Sequence, residues 1–131
     1  MDIPLDILAR LRSICLNLPE AYEELAWVGT RWCVRKKNFA HVLVIESGWP
    51  AAYAQAAGFD GTVLTFRAPP PLLDALRETG QPFFFPRWFP NIVGMRLSDI
   101  TCWDHVAEHL TESYCVVAPK QLVSLIGVER S

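Results

Sequence analysis

Apolar positions near the start of the chain recur every three or four residues. Leu8, Leu11, Cys15 and Leu18 form the stripe, Ile7 and Ile14 widen it, and Arg10, Arg12 and Asn17 fall outside it. That period predicts a helix. Asp2 is placed to cap it and Pro4 suits its opening turn. Leu18-Pro19 ends it, because the residue before proline avoids helical angles. Glu20 to Glu24 then reads as an acidic connector.

Beyond the connector the pattern shifts to alternation. Leu25-Ala26-Trp27-Val28 reads as a short strand and Gly29-Thr30 as a turn. Residues 31–46 read as two strands joined near Lys37-Asn38. In the first, Trp32 and Val34 alternate with Arg31, Cys33 and Arg35, giving one apolar face and one mostly basic face. In the second, Phe39, Val42, Leu43, Val44 and Ile45 run almost without interruption, which suits a strand covered on both faces or flanked by long side chains.

Ser47-Gly48-Trp49-Pro50 breaks the pattern. Ala51 to Ala57 predicts a short helix ended by Gly58. Asp60-Gly61 is a turn signal, and Thr62 to Phe66 is β-branched and strand-like. Pro69-Pro70-Pro71 opens a helix with Leu72, Leu73 and Leu76 inward and Gly80 at its end. Prolines 82, 86 and 90 exclude a central strand for the segment they punctuate. Asn91 to Leu97 reads as the last strand. Thr101 to Asp104 starts a helix with Trp103, Val106, Ala107, Leu110 and Tyr114 on one side and Asp104, His105, Glu108 and Glu112 on the other. Pro119 starts a final short helix with Leu122, Leu125 and Ile126 inward. The order implies an α+β fold in two layers: a mainly antiparallel five-stranded sheet with helices packed on one face.

A length of 131 residues fits a single domain spanning 1–131. Hydrophobic residues make up 51% and charged residues 20%, which favours a packed core over disorder. No apolar run reaches the roughly 18 residues of a membrane span, and the first residues are not those of a secretory signal. A soluble cytoplasmic protein with no membrane partner is the expectation. Cys15, Cys33, Cys102 and Cys115 match no zinc module and read as buried, reduced thiols. A net charge of −2 counts against nucleic acid unless positive charge is concentrated locally.

Such a concentration exists at the hairpin, where Arg31, Arg35, Lys36 and Lys37 accompany Trp32 and Phe39. Lysine and arginine contact phosphates, and an aromatic can stack or wedge. Arg67 and Arg87 extend the patch if the fold brings them close. The plainer reading is a solvated turn that keeps a sheet edge from aggregating. A second candidate surface is the loop 82–90, where Phe83, Phe85, Trp88 and Phe89 would contact a protein partner or a second copy. Five aromatics lie within residues 83–89. They cannot all point inward from an extended backbone, so some are expected at the surface or in a dimer. The same aromatics could instead line a small-ligand pocket beneath the loop, and the plainer alternative is a loop over the end of the core.

Catalytic and metal readings are weaker. His105 and His109 are spaced to share a metal, but the full His-Glu-x-x-His order and a third ligand are absent, and solvated histidines on a polar face are the expectation. Ser113, Tyr114 and Lys120 suggest catalysis less simply than a buried ring whose hydroxyl bonds the backbone. Cys33 and His41 lie on neighbouring strands, but nothing in the sequence poises that thiol. No enzyme activity, cofactor or metal is expected.

Several segments together carry a family resemblance. They are Cys15-Leu16-Asn17-Leu18-Pro19-Glu20 with Glu23-Glu24, then Trp27-Val28-Gly29, then Arg35-Lys36-Lys37-Asn38-Phe39-Ala40, and finally Ser113-Tyr114-Cys115-Val116-Val117-Ala118-Pro119-Lys120-Gln121-Leu122. In this order the chain resembles the MmcQ/YjbR family over nearly its whole length. The resemblance implies a compact α+β fold, CyaY-like or secretion-chaperone-like, in a small bacterial cytoplasmic protein. It also implies a "double wing" surface for weak, non-specific DNA binding. The alanine-rich segment after Glu46 departs from the shorter connection expected there.

Overall fold

The computed structural model describes residues 2–126. Helix α1 spans Leu5–Cys15 and buries Leu11 and Cys15. Pro4, rather than Asp2, stands at its N-cap. It ends before Leu18 because the chain tightens ahead of Pro19, with the Leu18 amide donating to the Cys15 carbonyl at 3.2 Å.

The acidic connector is itself a strand, β1, Tyr22–Leu25. It pairs antiparallel with β2, Thr30–Val34, at the edge of the sheet. Charge in this stretch misled the sequence reading, because edge strands carry charged residues readily. The turn is therefore Ala26–Gly29, closed by the Ala26 amide on the Gly29 carbonyl at 3.1 Å. Gly29 has a φ of +78°, and a Cβ there would stand 2.0 Å from the Val42 carbonyl oxygen. Only glycine permits that approach.

Strand β3, Lys37–Ile45, follows β2 through a two-residue turn at Arg35 and Lys36, with φ of 49° and 69°. The turn thus falls earlier than Lys37-Asn38, in the left-handed conformation that tight hairpins use. Trp32 pairs with Ala40 and Cys33 with Asn38, leaving Phe39 as an extra residue. This bulge lets Phe39 and Ala40 both join the main core.

Helix α2 is Ala51–Ala57, and Gly58 caps it in the left-handed conformation. Strand β4 is Gly61–Arg67, helix α3 is Pro70–Thr79, and strand β5 is Phe83–Phe84. Strand β6 is Ile92–Arg96, followed by helices α4, Trp103–Val117, and α5, Lys120–Ile126. The sheet order is β1-β2-β3-β4-β6-β5, antiparallel throughout. Among the described residues it has six strands rather than five, because Phe83–Phe84 adds a short edge between prolines.

One face of the sheet carries the main core. Leu11 of α1, Leu73 and Leu76 of α3, Leu110 and Tyr114 of α4 and Leu122 of α5 pack with Trp32, Val42, Leu64 and Phe66. The opposite face carries a smaller cluster of Leu43, Ile45, Val63 and Phe84, against which Tyr53 and the alanines of α2 pack. The helices are thus not all on one face. The apolar run of β3 requires cover on both sides, and the alanine-rich helix supplies it where bulkier side chains would not lie so close. In α5, Leu125 is exposed rather than inward. No described helix is long and apolar enough to cross a membrane.

Candidate nucleic-acid interface

The four cations of the hairpin divide into two pairs. Arg31 stands directly opposite Glu24 in the β1–β2 register and donates to it from Nε at 2.6 Å. Arg35 reaches Glu20 with Nε at 2.8 Å and Nη2 at 3.1 Å. The Arg35 hydrogen bond lowers the Glu20 carboxyl below its usual range, and Glu20 raises Arg35 in turn. Lys36 and Lys37 are exposed and have no ion pair among the described residues.

Trp32 is fully buried and unavailable for stacking on a base. Its indole Nε1 donates to Glu23 at 3.0 Å, which satisfies the polar edge of a buried ring. Glu23 also accepts from Nε and Nη2 of Arg12, both at 2.9 Å. Phe39 is equally buried, edge-on to Tyr114. The hairpin therefore contributes two free lysines and no aromatic surface.

The aromatics come from the loop that precedes β6. Arg67, at the end of β4, donates from Nε to the Asn38 carbonyl at 3.2 Å. Its guanidinium lies over the Phe89 ring, 5.4 Å from the centroid. One half-buried arginine thus joins the tip of the hairpin to the aromatic loop at the same end of the sheet. Phe89 and Trp88 are 50% and 43% exposed. Trp88 rests edge-on against Tyr53 of α2, with centroids 5.0 Å apart. Arg87, also exposed, lines a cleft of about 500 Å³ with Trp88, Phe85 and Gln55. The two earlier phenylalanines belong less to this surface. Phe83 and Phe85 are half-buried against the main core, and Arg77 covers Phe85.

Net charge conceals how the charges are distributed along the sheet. Residues 25–45, 61–73 and 79–98 contain no Asp or Glu, yet hold Arg31, Arg35, Lys36, Lys37, Arg67, Arg87 and Arg96. Acids from outside those segments cancel Arg31 and Arg35, while Lys36, Lys37, Arg67 and Arg87 keep their charge unpaired among the described residues.

The groups considered for catalysis are structurally engaged. His41 is held at both ring nitrogens, by the Val28 carbonyl at 2.6 Å and by the Tyr53 hydroxyl at 3.3 Å. The neutral tautomer that fits donates from Nε2 and accepts at Nδ1. Burial pushes its pKa down. Burial also pushes the Cys33 thiol up to about 11, with Glu24 adding to the effect. Cys15 is raised further, by burial, whereas Cys102 is exposed and Cys115 half-buried, because the first precedes α4 at its N-cap and the second lies only at the margin of the core. Ser113 donates to the Phe39 carbonyl and accepts from the Arg67 amide, and the Tyr114 hydroxyl donates to the Pro19 carbonyl at 2.7 Å. These are structural bonds. His109 does not stand free on a polar face as expected. It is half-buried, stacked on Phe66 and edge-on to Phe83. Among the described residues no three His, Cys, Asp or Glu side chains gather to hold a metal.

Sequence reasoning missed the cancellation by Glu20 and Glu24 and the His41–Tyr53 contact. The first was readable only with the correct start of β1, which sets Glu24 opposite Arg31. The second depends on α2 folding back over β3, for which the sequence carries no local signal.

Together, sheet order and helix placement define a small antiparallel α+β domain. A family model described as YjbR matches residues 16–116, and the chain belongs to that family. Among solved structures, the Deinococcus radiodurans protein DR2400, with a domain described as DUF419, superposes with a TM-score of 0.58 at 19% identity. The match covers 92% of this chain and 88% of that one. That likeness concerns the fold. No curated protein matches the chain.

Proposed function

We propose that the protein is a non-catalytic binding domain for nucleic acid, with weak and sequence-independent contacts. The supporting observation is the position of Arg67, which ties Asn38 at the hairpin tip to Phe89 in the aromatic loop. Lys36, Lys37, Arg67 and Arg87 contact phosphates in this reading, and Trp88 and Phe89 stack on bases. Exposed rings have most to gain from unpaired bases, so single strands bind better than duplex. Four phosphate contacts correspond to a salt slope of about −3 on a single strand.

Fluorescence anisotropy with labelled single-stranded and duplex DNA, across low to moderate salt, tests the reading. Binding that falls with salt and is lost in Lys36→Glu/Lys37→Glu supports it. Absence of binding at low salt overturns it.

A protein contact is the second reading, favoured by an apolar patch beside the sheet edge. Leu25, Trp27 and Trp49 are 85%, 83% and 54% exposed, and the two indoles pack 5.5 Å apart. Exposed aromatics of this kind anchor interfaces. The occupant named is a second copy of the chain, joined at the β1 edge. Sedimentation of a dimer that Trp27→Ser/Trp49→Ser converts to monomer supports it, and a wild-type monomer at high concentration rejects it.

A further inference from the structure

A separate cavity of about 660 Å³ lies away from the hairpin. It opens between the end of α2, the segment leading into β5, the end of β6 and the first turns of α4. That volume is in the range of small-molecule sites. Its apolar walls include Phe59, Phe83 and Ile100, and none of the described residues lining it is an Asp or Glu. Arg96 lines it with a guanidinium 4.9 Å from the Phe59 ring centroid, and has no ion pair among the described residues.

His109 supplies the second polar feature. Its ring is clamped parallel to Phe66, 5.2 Å between centroids, and edge-on to Phe83 at 5.7 Å. Its nitrogens have no hydrogen-bond partner among the described residues. Among the described residues no side-chain nitrogen or oxygen is both sealed from solvent and unpartnered, so these nitrogens are reached by solvent, and the cavity is what the residue lines. The third feature is the start of α4. Cys102 holds its N-cap position without a side-chain cap, and Thr101 and Cys102 both line the cavity. First-turn amides of a helix favour an anion. Asp104 in that turn is exposed and opposes this in part.

We infer that this cavity binds a small amphipathic carboxylate. The apolar body lies against Phe59, Phe83 and Ile100, and the carboxylate is held by Arg96 and an N–H of His109. An anion is selected because cationic and donor groups line the cavity and no carboxylate does, Asp104 and Glu108 acting on it only from outside the lining. An apolar body is selected because aromatic rings form the walls.

The test is a titration of amide resonances in the full chain with octanoate and, separately, with 1-octanol, its uncharged counterpart. The expected result is perturbation centred on Phe59, Phe83, Arg96 and the start of α4, with octanoate binding roughly tenfold tighter than octanol, the scale of one charge-assisted contact. Arg96→Gln removes most of that difference while leaving the dispersed spectrum intact, since Arg96 is exposed. His109→Gln weakens octanoate in the same sense. Equal affinities for the two probes, no perturbation with octanoate, or perturbation confined to other surfaces overturns the inference.

Discussion

Arg67 donates to the main-chain oxygen of Asn38 at 3.2 Å while lying over the ring of Phe89. Two segments far apart in sequence are thereby fixed at one end of the sheet. The Arg67 amide is itself anchored, donating to Ser113 Oγ at 2.7 Å. Replacing Arg67 by Gln is expected to raise hydrogen exchange at Asn38 and Phe89 together. It is also expected to weaken single-strand binding more than Arg87→Gln, which removes a charge alone. Arg67→Lys keeps the charge but loses the planar stacking group, and is expected to restore little. Equal losses for Arg67→Gln and Arg87→Gln would show that Arg67 acts only as a charge.

The hairpin allows charges of one sign to be compared in two states. Arg35 is matched by Glu20, and Lys36 and Lys37 are unmatched. The double variant Arg35→Gln/Glu20→Gln is expected to leave affinity and salt slope unchanged. Lys36→Gln/Lys37→Gln is expected to flatten the single-strand slope by about 1.4, at roughly 0.7 per phosphate contact. Neither is expected to shift the urea midpoint strongly, because solvent screens an exposed ion pair and the two lysines carry none among the described residues.

Stability is expected to decline in mild acid because of His41. Burial lowers its pKa, the Val28 carbonyl opposes that, and Arg31 adds a smaller downward push. The unfolded ring protonates near pH 6.5, above the folded value. Its contribution is therefore complete above about pH 6.5 and is lost as pH falls from there toward the folded pKa. His109 is also depressed by burial, and adds in the same direction. Urea midpoints at about pH 7.5 and pH 5.5 should differ less in His41→Gln than in the wild type. An unchanged difference would place the pH sensitivity elsewhere.

Gly29→Ala is expected to be among the most damaging small substitutions. Left-handed backbone costs roughly 1–2 kcal/mol for a residue with a Cβ, and the added carbon meets the Val42 carbonyl oxygen. Backbone cannot move aside as a side-chain tip can. Gly58→Ala shares the positive φ but meets nothing within 4 Å, so it isolates the conformational part. A urea midpoint for Gly29→Ala no lower than that for Gly58→Ala would mean that the β1–β2 turn yields freely.

Much of this architecture was legible in the chain. The alternation of Trp32 and Val34, the strand character of the apolar run in β3 and the alanine helix closed by Gly58 all read correctly, because each rests on local periodicity or one residue's backbone preference. The burial of Tyr114 with its hydroxyl on a carbonyl followed from the chemistry of a large ring with one polar atom. Errors arose where tertiary pairing overrode local character. Glu23 and Glu24 resembled a loop yet form an edge strand, since their charges are met by Arg12 and Arg31. Trp32 resembled a surface aromatic among cations, yet its partner is Glu23. The cation pairs depend on the β1–β2 register and on the path before β1, and Arg67 meets Phe89 through contacts distant in sequence.

The most direct test is the salt-dependent affinity of the wild type for a labelled single strand, set beside Lys36→Glu/Lys37→Glu and Trp88→Ala. The proposed interface requires wild-type binding at low salt with a slope of about −3. It further requires loss of binding in the lysine variant and a weakening in Trp88→Ala that salt does not remove, since stacking is not a counterion effect. Wild-type binding that is absent at low salt, or that is untouched by both variants, would contradict it.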